Sequence, residues 1–85
     1  MPNAKDYAKI ADFLENLDIE ELTLTFKEIE DIIGDQLPDT AYTRNQWWEN
    51  NEYRHSQAKH GWLAVDWNTF DISLKSKKAS FRKIS

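Results

Sequence analysis

The residues that could carry chemistry are concentrated in one stretch of the chain, residues 39–63. It holds three of the four tryptophans, both histidines and many hydrogen-bonding side chains. His55 and His60 are five residues apart, whereas a helical metal pair has its ligands at i and i+4, as in H-E-x-x-H. The chain has no cysteine, which excludes a thiolate metal site. The sequence therefore predicts no metal site and no cofactor.

Nucleophilic catalysis has a single candidate arrangement, Ser56 directly after His55. A serine nucleophile needs a base within hydrogen-bonding reach, a third group that orients the base, and donors for the oxyanion. No pattern in the chain supplies the third group or the oxyanion donors. We therefore predict no catalytic residues and a protein that is not an enzyme.

Recognition of double-stranded DNA fits these residue types better. Asparagine and glutamine can read adenine edges, arginine can read guanine, and serine and lysine can hold phosphates. A basic run at residues 75–78 could reach a neighbouring groove. The predicted nucleic-acid-binding residues are Arg44, Asn51, Arg54, Ser56, Gln57, Lys59, Lys75, Lys77 and Lys78. The structural alternative is that the amides and histidines tie a loop to its helices and the lysines protect a strand edge.

Charge is divided unevenly along the chain, whose formal net charge is −4. Residues 1–42 contain three basic against eleven acidic residues, a net charge of −8, and residues 43–85 contain eight basic against four acidic residues, a net charge of +4. Such a charge dipole can orient a small protein toward a polyanion. The alternative is that both halves are ordinary solvated surfaces.

The acidic half supports a second hypothesis of a different class. A small acidic protein can bind a basic protein surface, including the channel of a nuclease, by placing carboxylates where phosphates would lie. Phages and mobile elements encode inhibitors that use this physics. The residues of this alternative are Asp18, Glu20, Glu21, Glu28, Asp31 and an exposed Trp48.

The adjacent tryptophans Trp47 and Trp48 motivate the exposed anchor. Neighbouring side chains on a helix point about 100° apart, so both are buried only if the helix is nearly surrounded. We expect one ring in the core and the other at an edge, where an indole can anchor a partner. A third hypothesis is therefore a dimerisation or adaptor module, such as a homodimer held by an exposed tryptophan.

The first half of the chain contains clear element signals. Apolar spacing predicts an amphipathic helix over residues 4–17, with Asn3 as N-cap. Residues 22–25 predict a short strand. A T-x-x-E capping box at Thr25 and Glu28 opens a second helix over residues 26–33, and Gly34 ends it.

The second half is predicted from weaker signals. A third helix between residues 39 and 50 begins either at Asp39 or Thr40, or after a T-x-x-Q capping box at Thr43 and Gln46. A fourth helix spans residues 56–64, with Gly61 indicating close packing or an early end. Alternating apolar residues predict a β-hairpin over residues 67–84, with an irregular entry or bulge near Trp67.

This element order predicts one α+β domain over residues 1–85. Three to four helices followed by a hairpin match the winged helix-turn-helix plan, in which a short first strand pairs with the wing. Helix-bundle and other α+β arrangements remain open. Under this plan the fourth helix is the recognition element, and the protein is a small regulator or targeting module.

Several short motifs extend across nearly the whole chain. They are L-T-F-x-E-I-E-x-I-I-G at residues 24–34, L-P at residues 37–38, W-W-x-N at residues 47–50, H-S-Q-A at residues 55–58, Trp62, and S-F-R at residues 80–82. With these motifs the chain resembles a widespread family of small bacterial domains of uncharacterised function. The resemblance implies a winged-helix-like domain and no reaction. The chain differs at Asp66, where the family tends to have glycine before the next aromatic residue.

Membrane and export signals are missing from the sequence. No apolar run approaches the roughly 20 residues that span a bilayer. The first residues lack a basic region followed by an apolar core, so no signal peptide is predicted. We expect a soluble cytoplasmic protein without membrane contact.

Overall fold

The structure is a computed structural model that describes residues 2–84. Within these residues, helices surround one face of a three-stranded antiparallel sheet. The elements in chain order are α1 (Ala4–Glu15), β1 (Glu21–Thr25), α2 (Phe26–Ile33), α3 (Asp39–Thr43), a first 3₁₀ helix (Asn45–Trp48), α4 (Ser56–His60), a second 3₁₀ helix (Trp62–Val65), β2 (Trp67–Ser73) and β3 (Lys78–Lys83). The predicted α+β class is confirmed. None of the described helices has the length and apolar character needed to cross a bilayer.

Local capping fixes the starts of α1 and α2 as predicted, whereas α1 ends at Glu15, two residues before its predicted end. The Asn3 side chain accepts from the Asp6 N–H, and the Asp6 carboxylate accepts from the Asn3 N–H. Thr25 and Glu28 form the same reciprocal pair at the start of α2. Gly34 ends α2 in the left-handed conformation with φ +75°, which glycine adopts without steric cost.

The hairpin and the short first strand are also confirmed. The strand order is β1-β3-β2, so β1 pairs with the second strand of the hairpin. The irregularity lies between Thr69 and Asp71 and not at Trp67, because Phe70 is the extra residue of a bulge. Asp66 precedes β2 with φ +62°, a left-handed conformation that explains why glycine would suit this position.

The third helix begins at Asp39, in agreement with the earlier of the two predicted starts, but it ends at Thr43. Arg44 is extended, with φ −135° and ψ +125°, and it separates α3 from the first 3₁₀ helix. The Thr43 hydroxyl donates to the Asp39 carbonyl, and no side chain caps the 3₁₀ helix. The predicted capping box at Thr43 and Gln46 is therefore wrong, because a local back-bond within α3 takes the hydroxyl.

The fourth helix is shorter than predicted. It ends at His60, and a 3₁₀ turn replaces its expected second half. Gly61 is buried, and a Cβ there would lie 2.5 Å from the Gln57 carbonyl oxygen and 3.5 Å from the Tyr7 carbonyl oxygen. The Gln57 carbonyl oxygen of α4 therefore leaves no room for a Cβ at this position, whereas the α1 backbone lies at ordinary contact distance.

Tryptophan side chains fill the centre of the core. Trp48 stacks between Phe26 at 4.9 Å and Trp62 at 5.9 Å, measured between ring centroids. Trp47 packs edge-on against Trp48 and Tyr7. The exposed fractions are 9% for Trp47 and 1% for Trp48, so the predicted exposed anchor at Trp48 is wrong. The two adjacent rings are both buried because α1, α2 and the sheet surround the 3₁₀ helix that carries them.

Candidate nucleic-acid interface

Asn50 is the centre of the polar network within residues 39–63. Its Oδ1 accepts from Trp62 Nε1 at 3.0 Å, from the Thr69 backbone N–H at 2.9 Å and from the Thr69 hydroxyl at 3.1 Å. Its Nδ2 donates to the Thr69 carbonyl at 2.8 Å. The two backbone bonds are those that a neighbouring strand would make, so the Asn50 amide covers the outer edge of β2 at Thr69.

Gln57 also has a structural position. It is 7% exposed, and its Nε2 donates to the Trp47 carbonyl at 2.8 Å. This bond ties α4 to the first 3₁₀ helix and satisfies a buried carbonyl. Gln57, which the sequence suggested as a reader of adenine, therefore faces the interior and does not belong to an exposed interface.

The loop between the first 3₁₀ helix and α4 is organised by its own side chains. Asn51 Oδ1 accepts from the backbone N–H groups of Tyr53 and Arg54 at 3.0 and 3.2 Å, an Asx turn. His55 Nε2 lies 3.2 Å from Glu49 Oε1. The histidine thus pairs with Glu49 and not with the adjacent Ser56. Within residues 2–84 no three histidine, aspartate or glutamate side chains come together as a group that could hold a metal ion.

The basic residues of the predicted interface are exposed. Among residues 2–84 none of them forms an ion pair, so their charges are free to meet an external anion. Ser56 is exposed as well, at the first position of α4. The exposed basic residues of the set are Arg44, Arg54, Lys59, Lys75, Lys77 and Lys78.

The basic turn of the hairpin has a fixed position. The Lys77 carbonyl accepts from the Phe26 N–H at 2.8 Å, which joins the turn to the first residue of α2. Lys77 itself has φ +55°, and Lys78 pairs with both Thr25 and Ser73. The three lysines therefore lie beside the start of α2, where the helix dipole adds positive potential.

The loop that carries Asn51 and Arg54 lies at the other end of the hairpin. Asn51 and Tyr53 line a groove of about 500 Å³ together with Leu63, Asp66 and Ile84, which flank the start of β2 and the end of β3. Lys78 and Lys83 are five residue steps apart on β3, which is about 17 Å of strand. The structure thus places the turn with Lys75, Lys77 and Lys78 and the loop with Asn51 at opposite ends of one hairpin and not in a single cluster.

The acidic residues of the alternative hypothesis are all exposed, but several have partners. Glu28 caps α2, Asp31 accepts from Lys27 Nζ at 2.8 Å, and Glu21 lies 3.8 Å from Arg82 Nε. Asp18 and Glu20 have no side-chain partner within residues 2–84. The free carboxylates are therefore next to the start of β1.

Two side-chain contacts were not predicted from the sequence. The Glu30 carboxylate accepts from the Tyr42 hydroxyl and from the Leu37 N–H, both at 2.8 Å, and so joins α2 to α3. Burial, the hydrogen bond to Glu30 and its negative charge raise the pKa of Tyr42 to about 12. The Arg82 guanidinium lies 4.1 Å from the centre of the Phe70 ring on the solvent face of the sheet. No short motif signals either contact, although the W-W-x-N motif does contain Asn50.

Comparison with known proteins gives a family without an assigned activity. A family model described as a domain of unknown function (DUF7662) matches residues 7–84. No curated protein and no solved structure gives a significant match.

Proposed function

This chain belongs to the family of domains of unknown function DUF7662, and we propose from its geometry that it binds double-stranded DNA as a small, non-catalytic domain of winged-helix type. The order of elements supports the proposal. A short helix, α4, precedes a hairpin whose second strand pairs with an early strand, as in the winged helix-turn-helix plan. The role that fits such a domain is that of a cytoplasmic regulator or targeting module.

The observation that carries the proposal is the set of six exposed basic side chains without acidic partners. Lys75, Lys77 and Lys78 lie at the turn of the hairpin, while Arg54 and Lys59 belong to the loop and helix that precede it. The strand β3, which leads away from the hairpin turn, is about 17 Å long, a length of about five base pairs along a duplex. The hairpin turn and the α4 region would therefore contact different parts of the duplex.

Phosphate contacts dominate in this proposal. The helix α4 has five residues, and Gln57 on it is buried. Ser56 and Lys59 remain to hold phosphates, and Arg54 remains to read a guanine edge. Asn51 keeps its Nδ2 group free, since only its Oδ1 is used by the Asx turn. We expect weak sequence preference and a strong dependence on salt.

The acidic-inhibitor alternative has less support. Three of its carboxylates already have partners, and its aromatic anchor, Trp48, is buried. A homodimer held by an exposed tryptophan loses its basis for the same reason.

The test is fluorescence anisotropy with a labelled mixed-sequence duplex at about 50 mM and about 200 mM salt. We expect binding by the wild type that weakens steeply with salt. Replacing Lys75 by glutamate should weaken it strongly, whereas replacing Lys5 by glutamate changes the net charge equally and should not. Both lysines are exposed and have no side-chain partner within residues 2–84, so neither variant disturbs the core.

Two outcomes would contradict the proposal. One is the absence of binding by the wild type at the lower salt concentration. The other is an equal loss of binding in the Lys75→Glu and Lys5→Glu variants, because the effect would then come from net charge and not from the hairpin turn. If the turn is confirmed, Arg54→Ala should reduce the difference in affinity between guanine-containing and guanine-free duplexes.

A further inference from the structure

The outer edge of β1 carries backbone groups without partners. In the pairing of β1 with β3, the Lys83 N–H donates to the Glu20 carbonyl and the Phe26 N–H donates to the Lys77 carbonyl. Hydrogen-bonded and non-hydrogen-bonded pairs alternate in an antiparallel ladder, so the pairs at Leu22 and Leu24 are hydrogen-bonded. The N–H and C=O groups of the intervening residues, Glu21 and Thr23, therefore point away from the sheet.

Nothing within residues 2–84 covers these groups. The backbone of Glu21 and Thr23 makes no hydrogen bond outside the sheet, and both residues are exposed. The next outward group, the Thr25 N–H, is bound by the Glu28 side chain. Glu21 and Thr23, on either side of Leu22, therefore present two N–H donors and two C=O acceptors along this edge.

The other edge of the sheet is treated differently. There, the Asn50 side chain bonds both the N–H and the C=O of Thr69 and takes the place of a neighbouring strand. Exposed strand edges are sites of strand pairing, and proteins normally block them. Because β2 is blocked at Thr69 and β1 is open at two successive outward positions, we take β1 as the edge on which an additional strand can form.

The residues around β1 indicate the charge of the peptide strand that could bind there. Asp18 and Glu20 are exposed and unpaired, and Glu21 is exposed on the solvent face. Ile19 is 51% exposed between the two free carboxylates and offers an apolar contact. A second copy of this chain would bring the same acidic segment to the edge, whereas a basic segment gains Coulomb attraction.

We propose that the β1 edge binds an extended, basic segment of another protein by strand addition. The added strand pairs with Glu21 and Thr23, and its lysine or arginine side chains lie next to Asp18 and Glu20. This surface uses none of the residues of the proposed DNA interface, although Lys78 lies opposite Thr25 at the end of β1. A failure of DNA binding would therefore leave it unaffected.

The test uses the full chain labelled with ¹⁵N and a synthetic peptide of alternating lysine and valine. A peptide of alternating glutamate and valine is the control for charge. We expect saturable binding of the lysine peptide, with the largest amide shifts at Glu21 and Thr23 and with slowed hydrogen exchange of their N–H groups. The glutamate peptide should not bind.

Two substitutions at one position separate strand pairing from simple charge attraction. Thr23→Pro removes an outward N–H that the sheet does not use, and proline is tolerated at such edge positions. Thr23→Val keeps the N–H but loses the same hydroxyl, which lies 2.7 Å from the Ser80 hydroxyl. Proline should weaken peptide binding about fivefold or more, as expected for one lost backbone hydrogen bond, and valine should change it by less than about twofold.

Three results would overturn the proposal. They are equal peptide affinities of the proline and valine variants, amide shifts centred away from β1, and a dimer of the free protein in which β1 pairs with itself. If Thr23→Pro does not fold, the rate of hydrogen exchange of the Thr23 N–H in the wild type tests strand addition instead. Unchanged exchange at saturating peptide would then refute strand addition.

Discussion

Asn50 joins the loop after the first 3₁₀ helix to the outer edge of β2 and to the indole of Trp62. Its four hydrogen bonds use the acceptor three times and the donor once. The partners include a tryptophan N–H on a fully buried ring and the backbone of a buried threonine. At the scale of single residues, this amide shows that a side chain typical of base recognition can be fully engaged in hydrogen bonds within the protein even where the residue is exposed.

Truncation of this amide should be costly. Asn50→Ala leaves Trp62 Nε1 without its acceptor, removes both bonds to the Thr69 backbone and opens the edge of β2. Because unsatisfied buried donors cost about 1–3 kcal/mol each, we expect the free energy of unfolding to fall by about 2–4 kcal/mol. Urea denaturation followed by tryptophan fluorescence measures this change.

The matched control is Asn45→Ala. Asn45 is exposed on the neighbouring 3₁₀ helix, and its side chain has no partner within residues 2–84. Its replacement should change the free energy of unfolding by less than about 0.5 kcal/mol. Similar losses for the two variants would show that Asn50 does not have the role assigned to it.

At the scale of elements, Glu30 determines how α3 attaches to α2. Its carboxylate receives the Tyr42 hydroxyl of α3 and the Leu37 N–H of the connecting loop. Phe26 packs edge-on against the Tyr42 ring at 5.1 Å. A helix of five residues is too short to be stable alone, so these contacts hold α3 in place.

The Tyr42 hydroxyl should make stability depend on alkaline pH. Its pKa is raised to about 12 in the folded protein, from about 10 in an unfolded chain. A raised pKa means that the contribution to stability is complete below about pH 10 and is lost as the pH rises toward 12. The difference in urea midpoint between wild type and Tyr42→Phe should therefore be constant up to about pH 10 and shrink above it.

Subtracting the urea midpoint of Tyr42→Phe from that of the wild type removes the contribution of lysines and of the other tyrosines, because those groups titrate in both proteins. A direct measurement is the absorbance of tyrosinate in the folded wild type and in Tyr42→Phe. A difference between the two titrations centred near pH 10, and not near pH 12, would be incompatible with the bond to Glu30.

At the scale of the whole molecule, the four tryptophans form the core around which the helices and the sheet assemble. Trp48 and Trp62 stack at 20° between ring planes, and Trp62 contacts Phe81 of β3. Trp67 at the start of β2 is 1% exposed. The indoles thus connect the helices to the hairpin.

Burial of all four indoles should be visible in solution. We expect blue-shifted tryptophan emission that iodide and acrylamide quench only weakly in the folded protein, with strong quenching after unfolding in urea. Strong quenching of one indole in the folded protein would show that this indole is exposed, as the adaptor hypothesis requires. Replacing Trp48 by phenylalanine, which keeps an aromatic ring in the stack, would identify whether that indole is Trp48.

Local signals predicted much of the element order. The caps of α1 and α2 and the left-handed Gly34 depend on residues within three or four positions of each other, so the sequence alone contains their cause. The alternation in residues 67–84 predicted the hairpin for the same reason. Asp66 also marked the site of unusual backbone geometry, since glycine was expected there.

The tertiary structure decided where residues 39–63 lie. A capping box predicts a helix only if the capping hydroxyl has no other partner and the backbone continues in a helical direction. Here Arg44 is extended, and both adjacent tryptophans reach the core. The roles of Asn50 and Gln57 depend on Thr69 and Trp47, which are 19 and 10 residues away. The sequence by itself determined the charge division and the polar composition of this stretch and the approximate positions of its helices. Only the fold decided which amides are buried, which lysines are free and which strand edge is open, because those properties depend on contacts between residues that are distant in the chain.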